Sequence, residues 1–225
     1  MPRRAPRTKL EPDPPELPAD LAPAPVAVRS GDHVDGVVLG PGVDLPGHLA
    51  DLRLDGCRWV GAELRGRRLT GLRAQDVHID RCDLSGAVLE DAELRRVVLI
   101  GCRLSGTSFS GADLTDVRIV DCRADLSLFR MATASHLLAE GSSLRGADFY
   151  EMDGSGCAFL GCDLTEADVS GARLRGLRLH GSDIRGVLGA HRLRGAEISA
   201  DQVPALGEAL LADLGVRITD GGSAT

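Results

Sequence analysis

Aromatic residues are nearly missing from this 225-residue chain: Trp59, Tyr150 and four Phe make up 3% of it. A core without aromatic clusters has to be built from Leu, Ala and Cys. Proline is absent from Gly47 to Gln202, which suits uninterrupted backbone hydrogen bonding. No apolar run approaches the ~18 residues a membrane-spanning helix needs. The N-terminus carries no apolar signal segment. A cytoplasmic protein with reduced thiols and no membrane contact is therefore expected. The sequence also lacks GxSxG, P-loop, HExxH and strand-to-helix GxGxxG patterns. Its six His (His33, His48, His78, His136, His180, His191) are scattered, and none of its six Cys has zinc spacing. The expectation is a protein that is not an enzyme and holds no cofactor or metal.

What is present is a beat of five. From Leu49 to Ile184, 28 positions step by five, and 23 of them are Leu, Ile, Val, Phe or Trp. Two residues before each lies a second column, from Gly47 to Ser182, in which 22 of 28 are small or β-branched. Cys57, Cys82, Cys102, Cys122, Cys157 and Cys162 all fall in it and read as small apolar core residues. Two residues after each central position Gly occupies 16 of 28 places. In extended chain, residues two apart share a side, so the first two columns point inward and the residue between them outward. Two further residues must turn the chain, because continued extension would put the next Leu on the wrong side. Glycine suits such a turn.

Charge is uneven along the chain although the total is only −7. Residues 113–168 hold 11 acids against four Arg, between a near-neutral stretch and a basic one from Arg173 to Arg194. The acidic band comprises Asp113, Asp116, Asp121, Asp125, Glu140, Asp148, Glu151, Asp153, Asp163, Glu166 and Asp168. Net acidity and scarce aromatics argue against direct nucleic-acid binding.

Eight of eleven prolines lie in residues 1–25, a segment expected to be disordered or extended. Residues 26–46 read as an N-terminal flanking segment with a short strand that begins or borders the array, which spans 47–198. The beat resumes one place out of register at Leu188, Leu193 and Ile198, implying a one-residue deletion near Gly186–Gly189. Ser199 and Gln202 form a capping-box pattern ahead of Val203, Leu206, Leu210 and Leu214 at helical spacing. Residues 199–225 thus read as a capping helix over 200–214, a short strand at Val216–Ile218 and a tail. A solenoid's open end exposes core, and such a helix can close it or dimerise.

Units such as Ala112-Asp113-Leu114, Ala147-Asp148-Phe149 and Ala167-Asp168-Val169 resemble the A(D/N)LXX repeat of pentapeptide-repeat proteins, over about 47–198. The resemblance implies an all-β solenoid, a right-handed quadrilateral β-helix with four repeats per 20-residue coil and a C-terminal α-helical cap. Some members of that family are DNA mimics that bind DNA gyrase and confer quinolone resistance or self-protection, and the mycobacterial type is similar in outline. By that resemblance the acidic band would replace phosphates, and Leu206, Leu210 and Leu214 would pack the cap or face a second subunit. Three features depart from it: the array is nearly neutral overall, inserted loops are missing, and the Pro-rich N-terminus is extra.

Sorting by 20 residues gives further expectations. Around the central residues 59 to 179, the outward neighbours Val60, Val98, Ile100, Val120, Leu138 and Leu160 form an apolar stripe, to be covered by residues 26–46, a second protomer or a partner. Contact through that stripe makes a structural scaffold the alternative function. Between Phe129 and Leu144 the central column thins to Ala134 and Ala139, flanked by Met131, His136 and Leu137. Local repacking with Met filling space, a kink or a partner contact would each account for it.

Overall fold

A computed structural model describes residues 11–216 as a parallel β-solenoid of about seven turns closed by a short C-terminal helix. Strand pairing is offset by 20 residues turn after turn, as in His33↔Arg53, Arg73↔Glu93, Asp113↔Thr133 and Thr133↔Asp153. Each residue therefore lies over its counterpart one turn on, at the ~4.8 Å of paired strands. Four five-residue sides complete a turn. By central residue they are face 1 (Leu49 to Val169), face 2 (Leu54 to Leu174), face 3 (Trp59 to Leu179) and face 4 (Leu64 to Ile184). Faces 2 and 3 are the most regular, with eight-residue strands at Arg73–Asp80, Glu93–Ile100, Asp113–Val120 and Thr133–Glu140.

The corners explain the glycine column. All 16 glycines in it have positive φ, and so do all twelve non-glycine residues there, from Asp51 to Glu166. Five of the twelve are Asp, which tolerates this left-handed geometry better than most. A Cβ on Gly141 would meet only the movable end of the Asp121 side chain, at 2.8 Å, so its φ of 56° rather than space is what favours glycine there.

Inside, the central column is buried from Leu49 to Ile184. On face 1, Phe109, Phe129 and Phe149 stack at 5.1 Å with rings within 10° of parallel, a favourable offset geometry. Faces 2 and 3 thin at Ala134, Ala139 and Gly154. There the fully buried Met152 and Phe159 fill the space, whereas Met131 points out and is 60% exposed. Gly154 has no room for more, since a Cβ would meet Cys157 Sγ at 2.8 Å.

The small-residue column of face 4 is more than filler. Cys122 Sγ donates to Leu99 O (3.5 Å), and Cys102 N donates to Cys122 Sγ (3.3 Å). Ser142 Oγ does the same between Ile119 O and Cys122 N, as does Ser182 Oγ between Phe159 O and Cys162 N. Each thiol or hydroxyl thus bridges two turns. All six cysteines are free and buried, and burial pushes the Cys157 thiol up to about 11.

The N-terminal end begins earlier than Gly47. Val34 and Leu39 are buried, and His33–Asp35 and Val37–Leu39 pair in the same 20-residue register. Residues 26–46 therefore stack on the end of the rod rather than cross the stripe on face 3. At the other end the one-residue deletion falls later than expected. Asp168↔Leu188 keeps the offset of 20, and Arg178↔Glu197 shortens it to 19. Leu188 is consequently an outward residue, and Gly189 (φ 73°) opens a 3₁₀ turn at Ala190–Leu193.

The lid starts with a 3₁₀ turn at Ala200–Gln202 and continues as α1 (Val203–Asp213). Both halves of the Ser199/Gln202 capping box are present. Gln202 also lies 20 residues beyond Ser182, the next place in the bridging column. Its buried amide donates to Leu179 O (2.7 Å) and Ser182 O (2.6 Å), satisfying the last turn's carbonyls. Asp213 latches the far end, accepting from Gly189 N and His191 N. Ile218 of the expected closing strand lies outside the described residues.

Gln202→Ala is expected to cost about 1–3 kcal/mol, because it strands two buried carbonyls. Urea unfolding would show it, and an unchanged midpoint would mean that the lid does not depend on this amide.

Candidate partner-binding surfaces

The outward positions of each face form straight columns, so charge can be assigned face by face. The eleven residues of the acidic band do not share a side. Asp148, Glu151 and Asp168 stand on face 1, with Glu166 at its edge with face 4. Asp113 and Asp153 stand on face 2, Asp116 at the corner of faces 2 and 3, Glu140 on face 3, Asp121 at the corner of faces 3 and 4, and Asp125 and Asp163 on face 4. The band is a girdle, and arginines answer much of it. Arg118 pairs with Glu140 (2.6 Å), Arg123 with Asp125 (2.8 Å), Arg175 with Asp153 (2.7 Å) and Arg130 with Asp148 (3.4 Å).

Over the whole length, one side stands apart. Face 1 carries Asp51, Glu90, Asp91, Asp148, Glu151 and Asp168 against Arg67, Arg68 and Arg130, while the other three faces hold acids and arginines in near-equal numbers. Adjacent turns repeat at ~4.8 Å, and these carboxylates stand in two groups along the rod, Asp51, Glu90 and Asp91 toward one end and Asp148, Glu151 and Asp168 on two adjacent turns toward the other. Arg130 lies over the Tyr150 ring at 5.1 Å, and the Glu151 carboxylate beside that ring raises the Tyr150 hydroxyl above its ordinary pKa. Sequence position alone hid this face, because its acids come from four different turns.

The apolar stripe lies on face 3 as the 20-residue sorting implied. Val98 (8% exposed) and Leu138 (4%) are buried, and Val60, Ile100, Val120 and Leu160 are half-buried. Side chains on neighbouring turns crowd one another here. His78 shares the column with Val98, and burial followed by the nearby Arg58 charge holds its pKa below the usual imidazole value.

The corner of faces 2 and 3 carries a ladder missed by sequence reasoning: Asp76, Arg96, Asp116 and His136, one per turn. Arg96 Nε and Nη2 both reach Asp76 at 2.5 Å, and His136 Nδ1 is 3.3 Å from Asp116 Oδ1. Residues 11–18 lie extended along this ladder. Glu16 N donates to Asp76 Oδ1 (2.9 Å) and Asp13 N to Asp116 Oδ1 (3.1 Å), while Pro12 is buried. Two turns, ~9.6 Å, separate those anchors, and three residues of polyproline-type chain cover about that length. The prolines make the strap stiff and extended; nothing in their spacing revealed where it would lie.

On the lid, Leu206 packs against the core with Ala205 and Ala209, and Leu210 is half-buried. Val203 (57%) and Leu214 (76%) face outward, beside Leu211 and Val216.

Depressions on the rod are shallow. One, of about 370 Å³, lies on face 2 between Arg53, Arg73, Gln75, Glu93 and Arg95. Among the described residues no group of three or more His, Cys, Asp or Glu side chains could hold a metal ion, and no helix is long and apolar enough to cross a membrane.

Residues 92–169 match a pentapeptide repeat region model, and residues 155–188 match a model of pentapeptide repeats in eight copies. No curated protein matches the chain. Among solved structures it is similar to HetL, a pentapeptide repeat protein involved in heterocyst differentiation regulation in the cyanobacterium Nostoc sp. strain PCC 7120. The identity is 23%, over 73% of this chain and 87% of HetL, with a TM-score of 0.38. It is also similar to trypsin-treated QnrB1, a plasmid-mediated fluoroquinolone resistance protein. There the identity is 19%, over 89% of this chain and 98% of QnrB1, with a TM-score of 0.43. Likenesses at this level carry nothing about function.

Burial opposes the charge on Asp76, but Arg96 and the Glu16 amide outweigh it and hold the carboxyl below its ordinary range. A carboxyl with a lowered folded pKa contributes stability above its unfolded value, about 3.9, and loses it as pH falls through the folded one. The strap is therefore expected to stay docked from pH 7 to 5 and to loosen only below about pH 3.9. Asp76→Asn should release it at pH 7. Hydrogen exchange at the Glu16 amide measures both, and equal protection in the variant would show that the ladder does not hold the strap.

Proposed function

We propose that this chain, a pentapeptide-repeat protein over residues 92–188, is a non-enzymatic interaction rod. Its face 1 presents carboxylates to the DNA-binding surface of a protein, with DNA gyrase as the partner. The observation that supports this reading is the segregation of acid: face 1 has six carboxylates and three arginines, whereas the other sides are balanced. Carboxylates held in a line on a rigid frame offer a basic groove what a phosphate backbone offers it. Of the acidic band, Asp148, Glu151, Glu166 and Asp168 are the members that can act together, since they lie on or beside one face within two adjacent turns. In this reading the protein acts in the cytoplasm, and modulation of gyrase or protection against quinolone-type inhibitors follows from competition with DNA.

A second feature supports self-association through the lid. Val203, Leu211, Leu214 and Val216 leave apolar surface exposed at the end of the rod, which suits a dimer with a second copy. Contact through face 3 as a scaffold is less favoured, because two of its six stripe residues are already buried.

In a gyrase supercoiling assay at graded protein concentration, inhibition or protection is expected at micromolar protein and should weaken steeply as salt rises. No effect at those concentrations would remove gyrase as the partner.

A further inference from the structure

Face 1 holds something besides charge. Of the twelve non-glycine residues at left-handed corners, ten are Asp, Glu, Arg or His, and the two apolar ones are Leu126 (φ 57°) and Met131 (φ 55°). Both belong to one turn, five residues apart, at the two edges of face 1. At the Leu126 corner the other turns use Gly66, Gly86, Gly106 and Gly146, then Glu166 and Gly186. Left-handed backbone costs a branched or bulky L-residue roughly 1–2 kcal/mol, and strain of this kind persists where something else requires the side chain. The interior does not require these two. Leu126 is 65% exposed and Met131 60%, although the Leu126 side chain lies over Gly146 of the next turn. Each position is thus unfavourable twice, in backbone geometry and in exposed apolar surface.

Half-buried Leu128 lies between them, so the turn offers an apolar ridge across the face. The next two turns carry Asp148, Glu151, Glu166 and Asp168. Arg130 is 3.4 Å from Asp148 and Arg145 is 3.9 Å from Glu166. Among the described residues no arginine lies within ion-pair distance of Glu151 or Asp168.

We propose that Leu126, Leu128 and Met131 are the apolar anchor of the face 1 interface, seated in an apolar pocket beside the basic groove that meets the carboxylates. This rests on the reading of face 1 as the contact surface and adds the partner's shape: a basic protein surface with a hydrophobic socket at one end. Charge complementarity selects that occupant, since the ridge continues directly into four carboxylates that two arginines only partly offset. Charge steers and sets specificity, while a desolvated apolar anchor holds the complex. The interface therefore keeps a salt-insensitive component that a pure charge mimic lacks.

The test compares wild type with the double variant Leu126→Gly, Met131→Gly. Glycine relieves the corner strain, so its thermal midpoint should be equal or higher, and lost binding cannot be blamed on unfolding. Three probes are used: DNA gyrase, an alternating Lys/Leu peptide and an oligolysine of equal charge. Wild type should prefer the Lys/Leu peptide. The variant should lose that preference and bind gyrase about tenfold more weakly, with oligolysine binding unchanged and with most of the loss surviving at high salt. Equal binding of the Lys/Leu peptide by both proteins would overturn the proposal. So would loss of self-association in the variant by sedimentation, which would make the occupant a second copy. Lys/Leu preference without gyrase binding would remove gyrase and leave the anchor standing.

Discussion

Every surface described here depends on one constraint, the hydrogen-bonded offset of 20 residues between turns. Because residue n is held over residue n+20, any property repeated at that spacing becomes a straight column on the rod. The backbone sets the spacing, and side chains are free only in what they display. A column of thiols and hydroxyls becomes a set of bridges on face 4, a column of Phe becomes a stack on face 1, and Asp76, Arg96, Asp116 and His136 become a rail for the N-terminal strap. Gln202 shows how far the constraint reaches. It stands where the next bridging residue would be, and it ends the solenoid by donating twice to the last turn.

The same constraint produces strain at the corners. Four corners per turn need left-handed backbone, and glycine meets the need at 16 of 28 places. Asp, with a short polar side chain, meets it at five more. A side chain at one corner spreads over the neighbouring turn, which is glycine beside Asp121 (Gly141) and Leu126 (Gly146), whereas Asp76, Arg96, Asp116 and His136 follow one another by pairing opposite charge. A non-glycine corner therefore constrains its neighbours as well as itself. Such residues are informative in a fold whose default is glycine.

The architecture was legible because its period is short and repeated. The inward columns, the capping box and the lid helix follow from spacing in the sequence, and the 20-residue coil from the resemblance of its units to pentapeptide repeats. The surfaces were less legible, for particular reasons. Residues 113–168 are acidic as a stretch, but a stretch of 56 residues wraps the rod nearly three times, so linear acidity spreads over all sides. Face 1 becomes acidic only when Asp51, Glu90 and Asp91 are added from distant turns. Met131 read as a candidate filler of the thin core, yet its column position turns it outward, and Met152, two places before Gly154, fills instead. The deletion was expected near Gly186–Gly189 with Leu188 already shifted, yet Leu188 keeps the old register, because by composition alone it suits an outward site as well as an inward one.

Geometry also bears on what kind of function such a rod can support. Catalysis needs groups converging on one point within hydrogen-bond reach. Outward side chains of a convex rod run parallel along a face and diverge at a corner, so neighbours meet mainly as the pairs seen here, acid against arginine one turn away. Recognition asks for the opposite arrangement, many groups in a fixed line that do not need to converge. The frame keeps its 20-residue register whatever stands outside, so the outward columns can change charge and polarity without unfolding the core. Selection for a partner would then appear where a residue is costly to the frame. On this rod the clearest cost is the pair Leu126 and Met131, beside the carboxylates of face 1.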